Sequence, residues 1–292
     1  MYKFVIILLC LLYVPSNIAA SGAFPIENEH TSLVGKSSTL ILKNDETLIE
    51  LARVYDTGYN EIVDANKAID PWIPGKGTRV VLPTSWLLPE MIDKGIIINL
   101  AELRLYYFFS IQEFRYVKTY PLGIGRQGFN TPTGTYKISY MTKDPVWKTP
   151  EVSRKENPEL PLYVPPGPDN PLGGFWIQLS IGTYGIHGTN KPYGIGRSVS
   201  QGCIRLYPED IKDLYNYVKP GTVVKIINES VKVGKYNNSV YMEVHGSDQS
   251  DSEIVQLAIK KLNRKHLLNN VDTVLLIKAI KSATGLPVLI SR

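Results

Sequence analysis

The chain has 292 residues, 43% hydrophobic and 20% charged, a balance that excludes an intrinsically disordered protein and leaves room for about two domains. Its formal charge of +5 is spread over interspersed acidic and basic residues, so no basic block points to nucleic acid or to a membrane surface. After the amino-terminal segment no apolar run is long enough to span a bilayer, which predicts a mature chain without a membrane anchor.

Residues 1–20, MYKFVIILLCLLYVPSNIAA, run from one lysine through an apolar core to a small-residue end. That is the layout of a cleavable secretory signal, with cleavage predicted near Ala20. Cys10 lies inside the apolar core behind Leu9, without the small residue that lipid attachment requires. The mature chain therefore keeps one cysteine, Cys203, in an exported setting where structural cysteines come in pairs. A lone thiol there calls for a function.

A mostly polar stretch follows over 27–38. From Ser38, STLILKNDETLIELARVYDTGYNEIVDANKAIDPWIPGKGTRVVLP reads strand, helix, helix, strand. Leu40 and Ile41 form a short strand, 45–47 start a helix, and Leu48, Leu51, Ala52 and Tyr55 keep helical spacing. A second short helix covers 59–65, and 79–82 closes as a strand before Pro83. Helix spacing leaves two readings of 37–84 open, a binding module or a small α+β cap on the next domain.

Residues 83–89 read as a linker. IIINL, LRLYYFF and FRYVKTYPL are then three strands dense in β-branched and aromatic residues, and GTYKISYM, GFWIQL and VVKII continue the pattern. One helix is predicted over 208–218, with Pro208 at its start, Glu209 and Asp210 in its first turn and Gly221 past its end. Residues 95–228 are thus a mostly β domain with one helix. Within it PVWKTPEVSRKENPELPLYVPPGPDNPLGG, rich in Pro and charge, is long for a connection and reads as a lid or a substrate wall. Trp147, Tyr163, Trp176 and Tyr193 are candidates to touch substrate, with core or loop packing as the alternative for each. Residues 229–247 predict a β-hairpin. A helical tail over 248–292 carries Ile254, Leu257, Ala258 and Leu262 on one face, then Val274, Ile277 and Ile280 on a second helix, and is read as packing structure.

LGIGRQGFNTPTG spaces Gly123, Gly125 and Gly128 like a dinucleotide fingerprint, but the residues that follow cannot open a helix, so the glycines are read as shaping turns. The four histidines, His30, His187, His245 and His266, show no ligand spacing, and neither a metal nor an organic cofactor is predicted. His187 precedes Cys203 by sixteen residues in HGTNKPYGIGRSVSQGCIRL. A strand, a glycine-rich excursion and a return strand can bring such a pair together. An imidazole can take the thiol's proton and the thiolate attacks, Gly202 admits a substrate carbonyl, and amides around Cys203 can hold an oxyanion. A buried strand cysteine beside an unrelated turn histidine stays open on residue types alone.

HGTNKPYGIGRSVSQGCIRLYPEDI resembles the active-site signature of the L,D-transpeptidase (YkuD-type) catalytic domain. GIIINLAELRLYYF, YPLGIGRQGFNTPTGTY and VPPGPDNPLG are similar to the periplasmic Gram-negative subgroup, and DETL with PGKGTRVVLP resembles the LysM module that binds peptidoglycan glycan. The resemblance implies a β-sandwich with one helix for the catalytic domain and an α+β LysM-like module before it. It makes Cys203 the nucleophile, His187 the general base and later acid, and Gly188 the carbonyl that orients the ring. Gly202 would contribute oxyanion-hole backbone, and Ser200 and Arg205 would meet substrate, Arg205 by its guanidinium fork or else as a structural ion pair. Many members carry a histidine where this chain has Gln201, so proton handling rests on His187.

The implied function is a periplasmic peptidoglycan L,D-transpeptidase that acts on stem peptides, with a second stem or an outer-membrane lipoprotein lysine as amine acceptor and carbapenems as inhibitors. An L,D-carboxypeptidase, a lipoprotein-releasing hydrolase of the same fold, and a noncatalytic wall-binding protein are the alternatives.

Overall fold

A computed structural model describes residues 22–27, 32–90 and 93–292. The secretory signal read over 1–20, with Cys10, and also His30, lie outside the described residues. No helix among the described residues is long and apolar enough to cross a membrane.

One nine-stranded sheet organises the centre of the molecule. Its order is Phe24–Ile26, Phe114–Pro121, Arg104–Ile111, Gly95–Asn99, Val223–Ile227, Gly134–Lys143, Phe175–Leu179, Gly185–His187 and Ile204–Arg205. The long Gly134–Lys143 strand belongs to both halves: its first residues pair with Val223–Ile227, and after a register shift between Ile138 and Tyr140 it continues along Phe175–Leu179. Such an irregularity bends a strand. The sheet therefore folds over a single core in which Ile96, Ile98, Leu105 and Tyr120 of one half meet Ile177, Ile186 and Ile204 of the other, closed by Ile211 and Leu214 of the helix Pro208–Tyr217.

The continuous apolar runs III and LYYFF mark strands covered on both faces. Ile97, Tyr106, Phe108 and Val117 turn away from that core and pack with Trp86, Leu88, Val34 and Ile26. This corrects the reading of 83–89 as a linker: Ser85–Leu87 is a fully buried strand paired with Leu33–Gly35, and Phe24–Ile26 extends the main sheet. Sequence reasoning missed both because a three-residue strand shows too little alternation, and the partner of 85–87 lies some fifty residues earlier.

Residues 38–82 fold on their own core of Leu42, Leu48, Leu51, Ile62, Val80 and Leu82. The helix Leu48–Val54 starts at a capping box in which Thr47 and Glu50 satisfy each other's backbone, Tyr59–Ala65 follows, and Ser38–Ile41 pairs with Arg79–Leu82. At the other end the hairpin Val231–Tyr236 and Ser239–Val244, the helices Asp251–Arg264 and Thr273–Ser282, and the strand Val288–Leu289 share one core. Hairpin and helical tail, read separately in the sequence, are one body. Residues 95–228 hold a second helix, Glu151–Glu156, beside the single one expected over 208–218. Its six residues lie between prolines in a charge-rich stretch, and a Glu151–Lys155 ion pair supports the single turn.

Candidate active site

Three short segments share a pattern: Trp176-Ile177-Gln178, Gly185-Ile186-His187 and Cys203-Ile204-Arg205. Side chains alternate across a strand, so the three isoleucines enter the core and their neighbours share the opposite face. The register fixes who meets whom. Trp176 opposes His187 across an antiparallel pair, and Ile204–Arg205 runs parallel to Gly185–His187 with His187 opposite Arg205. Cys203 thus enters one residue ahead of the paired strand, on the face that holds His187 and Arg205.

His187 is 3% exposed, and its Nδ1 lies 2.6 Å from the Gly188 carbonyl, so Nδ1 carries the proton and Nε2 is the basic nitrogen. The Trp176 ring stacks on the imidazole at 5.5 Å between centroids. Burial, then the Arg205 charge, push the imidazole down to about 3 against the pull of the Gly188 and Leu172 carbonyls, leaving it neutral at physiological pH. Cys203 is half-buried; burial raises its thiol, while the Gly185 amide and the Arg205 charge work the other way. Its sulfur faces the Thr183 carbonyl at 3.8 Å. The resting pair is a neutral thiol with a neutral imidazole, so the proton must leave as sulfur attacks.

Arg205 is the charge common to both groups. Burial lowers its own pKa, and its Nε is buried without a hydrogen-bond partner. No carboxylate pairs with it among the described residues. The structural ion pair considered for Arg205 is therefore not formed, and a guanidinium with unused donors is left beside the thiol.

The turn before Cys203 departs from two expectations. The Ser200 hydroxyl donates to the Cys203 carbonyl at 2.5 Å and accepts the Gly202 N–H at 3.1 Å. Ser200 is 1% exposed and fully engaged inside its own loop, where a substrate-binding role was read. The same bond commits the Gly202 amide, the expected oxyanion donor, to Ser200. The Gly202 carbonyl accepts from Thr131 Oγ1 at 2.8 Å. Gly202 is needed for shape: its φ is +102°, and a Cβ there would come within 2.7 Å of the Tyr184 ring. Gly125 is similarly forced, since a Cβ would meet the Phe129 carbonyl at 1.8 Å and Gly202 Cα at 2.9 Å.

The long insertion approaches this turn. Ser153 Oγ donates to Gln201 Oε1 at 2.9 Å, and Arg126 pairs with Glu156. Among the aromatic candidates, only Trp176 touches a site residue by ring contact; Trp147 and Tyr163 sit on a small hairpin of the insertion, and Tyr193 on the turn Pro192–Gly194. Thr131, Tyr184 and Ser153 were missed by sequence reasoning. The W-I-Q, G-I-H and C-I-R triplets were the signal that could have joined Trp176 to the site.

Residues 93–226 match the YkuD family, described as the L,D-transpeptidase catalytic domain. The chain is 39% identical over 238 residues to the probable L,D-transpeptidase YcfS of Escherichia coli, covering 78% of this chain and 73% of that protein. It is 35% identical over 292 residues to the probable L,D-transpeptidase ErfK/SrfK of Salmonella typhimurium, covering 94% and 93%. Among solved structures, the catalytic domain of an Enterococcus faecium L,D-transpeptidase is 21% identical, covers 48% of this chain and 100% of that one, and has a TM-score of 0.37.

Proposed function

This chain belongs to the L,D-transpeptidase family and is an enzyme of that type; on that premise we propose that Cys203 forms a thioester with a peptidoglycan stem peptide and passes the acyl group to an amine. The observation that carries the reading is the shared strand face on which Cys203, His187 and Arg205 meet, with Nδ1 of His187 committed to Gly188.

Sulfur attacks the carbonyl carbon of the third stem residue, a diaminopimelate, while Nε2 of His187 takes the thiol proton. The tetrahedral intermediate collapses by breaking the bond to the terminal D-alanine, whose nitrogen receives that proton. An acceptor amine then attacks the thioester, gives its proton to His187, and the thiol is restored. The acceptor is a second stem diaminopimelate, giving a 3→3 cross-link, or a lipoprotein lysine. With the Gly202 amide engaged, the Cys203 amide is the backbone donor at hand for the oxyanion. Arg205 holds a substrate carboxylate with its unused donors. The insertion over 145–174 forms the substrate wall and lid, residues 37–84 act as a LysM-like module that holds the glycan, and the enzyme works in the periplasm after removal of 1–20.

The purified protein is to be incubated with tetrapeptide muropeptides and with a carbapenem, and both followed by mass. Cross-linked dimers and a covalent gain at Cys203 that Cys203→Ala lacks are the expected results. Tripeptide alone would replace transfer by hydrolysis, and an unreactive thiol would leave a wall-binding protein.

A further inference from the structure

The loop that carries Cys203 is gripped from outside its own sheet. Tyr59 and Asn60, at the start of the second helix of the amino-terminal module, donate their amides to the Ile195 and Gly196 carbonyls, both at 3.2 Å. The two backbones touch: a Cβ on Gly196, where φ is +80°, would lie 2.1 Å from the Tyr59 nitrogen, and one on Gly58 would lie 2.8 Å from Gly196 Cα. The next residue, Arg197, lays its guanidinium 3.6 Å from the Tyr59 ring centroid and 5.8 Å from that of Trp72. Its Nε and Nη2 are buried without hydrogen-bond partners, so ring faces rather than acceptors fix its place.

From Arg197 to the thiol every link is tied. The Arg197 carbonyl accepts the Ile124 N–H at 3.1 Å, Ser198–Ser200 pairs with Ile124–Gly125, and Ser200 clasps the Cys203 carbonyl. The module itself is anchored to the catalytic domain. Buried Arg104 holds Glu61 by two bonds of 2.8 and 2.7 Å, Trp86 Nε1 donates to the same carboxylate at 3.0 Å, and the Tyr207 hydroxyl donates to the Thr57 carbonyl at 3.2 Å. A tethered binding module needs none of this. A module that sets the position of a catalytic loop needs all of it.

We propose that Arg197, clamped on Tyr59 of the amino-terminal module, is a positioning residue for the Cys203 loop, so that the module acts on the chemical step as well as on wall binding. The proposal rests on the reading of Cys203 as the nucleophile. Small displacements of a reacting group are costly in rate, about a hundredfold for roughly 1 Å. Truncating Arg197 therefore acts on kcat, with KM and adsorption to insoluble peptidoglycan unchanged.

The full-length protein is compared as wild type, Arg197→Ala and Arg197→Lys. The readouts are kcat and KM on tetrapeptide muropeptides, the rate of Cys203 acylation by a carbapenem, co-sedimentation with insoluble peptidoglycan, and hydrogen exchange over 195–203. In Arg197→Ala, kcat and acylation rate should fall by about ten- to a hundredfold, exchange over the loop should quicken, and sedimentation should hold. Arg197→Lys, which keeps a cation over the ring, should recover most of the rate. Should Arg197→Ala fail to fold, Tyr59→Leu, which leaves the loop's own residues in place, carries the same comparison. A wild-type thiol that reacts while the truncated variants match it in kcat overturns the positioning role alone. A wild-type thiol that gains no mass overturns the nucleophile assignment and the positioning role together.

Discussion

The polar cluster around Cys203 and the one around Lys232 are both built from buried groups, and they are satisfied to opposite degrees. Lys232 Nζ bonds the Leu87 carbonyl at 2.6 Å, the Tyr106 hydroxyl at 3.0 Å, Glu243 at 2.7 Å and also Glu102. Glu243 in turn accepts the Leu87 amide at 2.6 Å and meets His245 at 2.7 Å, and Glu102 accepts from Asn99 at 2.8 Å. Glu102, Glu243 and His245 place their ligand atoms within 4.8 Å of one another, a spacing that suits a metal ion, but the Lys232 ammonium already supplies the cation there. Around Cys203, by contrast, Arg205 keeps an unpartnered Nε and the thiol's contact to the Thr183 carbonyl is long, at 3.8 Å. The saturated cluster joins the catalytic sheet, the 85–87 strand and the carboxy-terminal body. The unsaturated one leaves hydrogen-bonding capacity that a substrate can use.

Substitutions at each centre can break this contrast. His187→Gln keeps a polar side chain of similar reach but removes the proton acceptor, and should lower the rate of transfer by about 10²- to 10⁴-fold, measured as cross-linked product per folded molecule, with little loss of melting temperature. Lys232→Met should do the reverse. It leaves Glu102 and Glu243 buried without their counter-charge, a change worth about 3–5 kcal/mol of stability, read from urea unfolding, while the carbapenem acylation rate of the folded fraction stays at the wild-type value. If Lys232→Met slowed acylation with stability intact, the division between the two clusters would fail.

The sequence disclosed these two centres unequally, for a physical reason. Cys203 and His187 lie on segments whose two-residue alternation, C-I-R and G-I-H, is written locally. Lys232 sits in VKVGKY, where the same alternation would turn a lysine to solvent; it is buried because Glu102 and Leu87 lie more than a hundred residues away in sequence and close in space. Arg104 is the same case, a fully buried cation at the head of the apolar run LYYFF whose partner Glu61 comes from another body. The short strand 85–87 and the engagement of Ser200 within its own turn depend on such distant or tightly folded partners too. Periodicity reports which face a residue occupies, and it is silent about what covers that face.

A smaller effect separates the clusters by pH. Burial, then the Arg205 charge, hold His187 down to about 3 in the folded protein, whereas an unfolded histidine titrates near 6.5. Between those values the unfolded chain binds a proton that the folded site refuses, so stability falls as pH drops below about 6.5 and continues to fall toward 3. At pH 5 this linkage amounts to about 2 kcal/mol relative to neutral pH. Glu243 behaves differently: burial opposes its ionisation, but Lys232 and His245 outweigh that and hold it down to about 2. Its stabilisation is intact above the ordinary carboxylate range and is lost only as pH falls from there toward 2. The stability difference between wild type and His187→Gln, followed by urea unfolding from about pH 8 to 5, should therefore be flat above about 6.5 and slope against the wild type below it. A difference that stays flat to pH 5 would mean that the folded imidazole takes up its proton near the same pH as an unfolded one, and the depression of His187 by burial and by Arg205 would have to be given up.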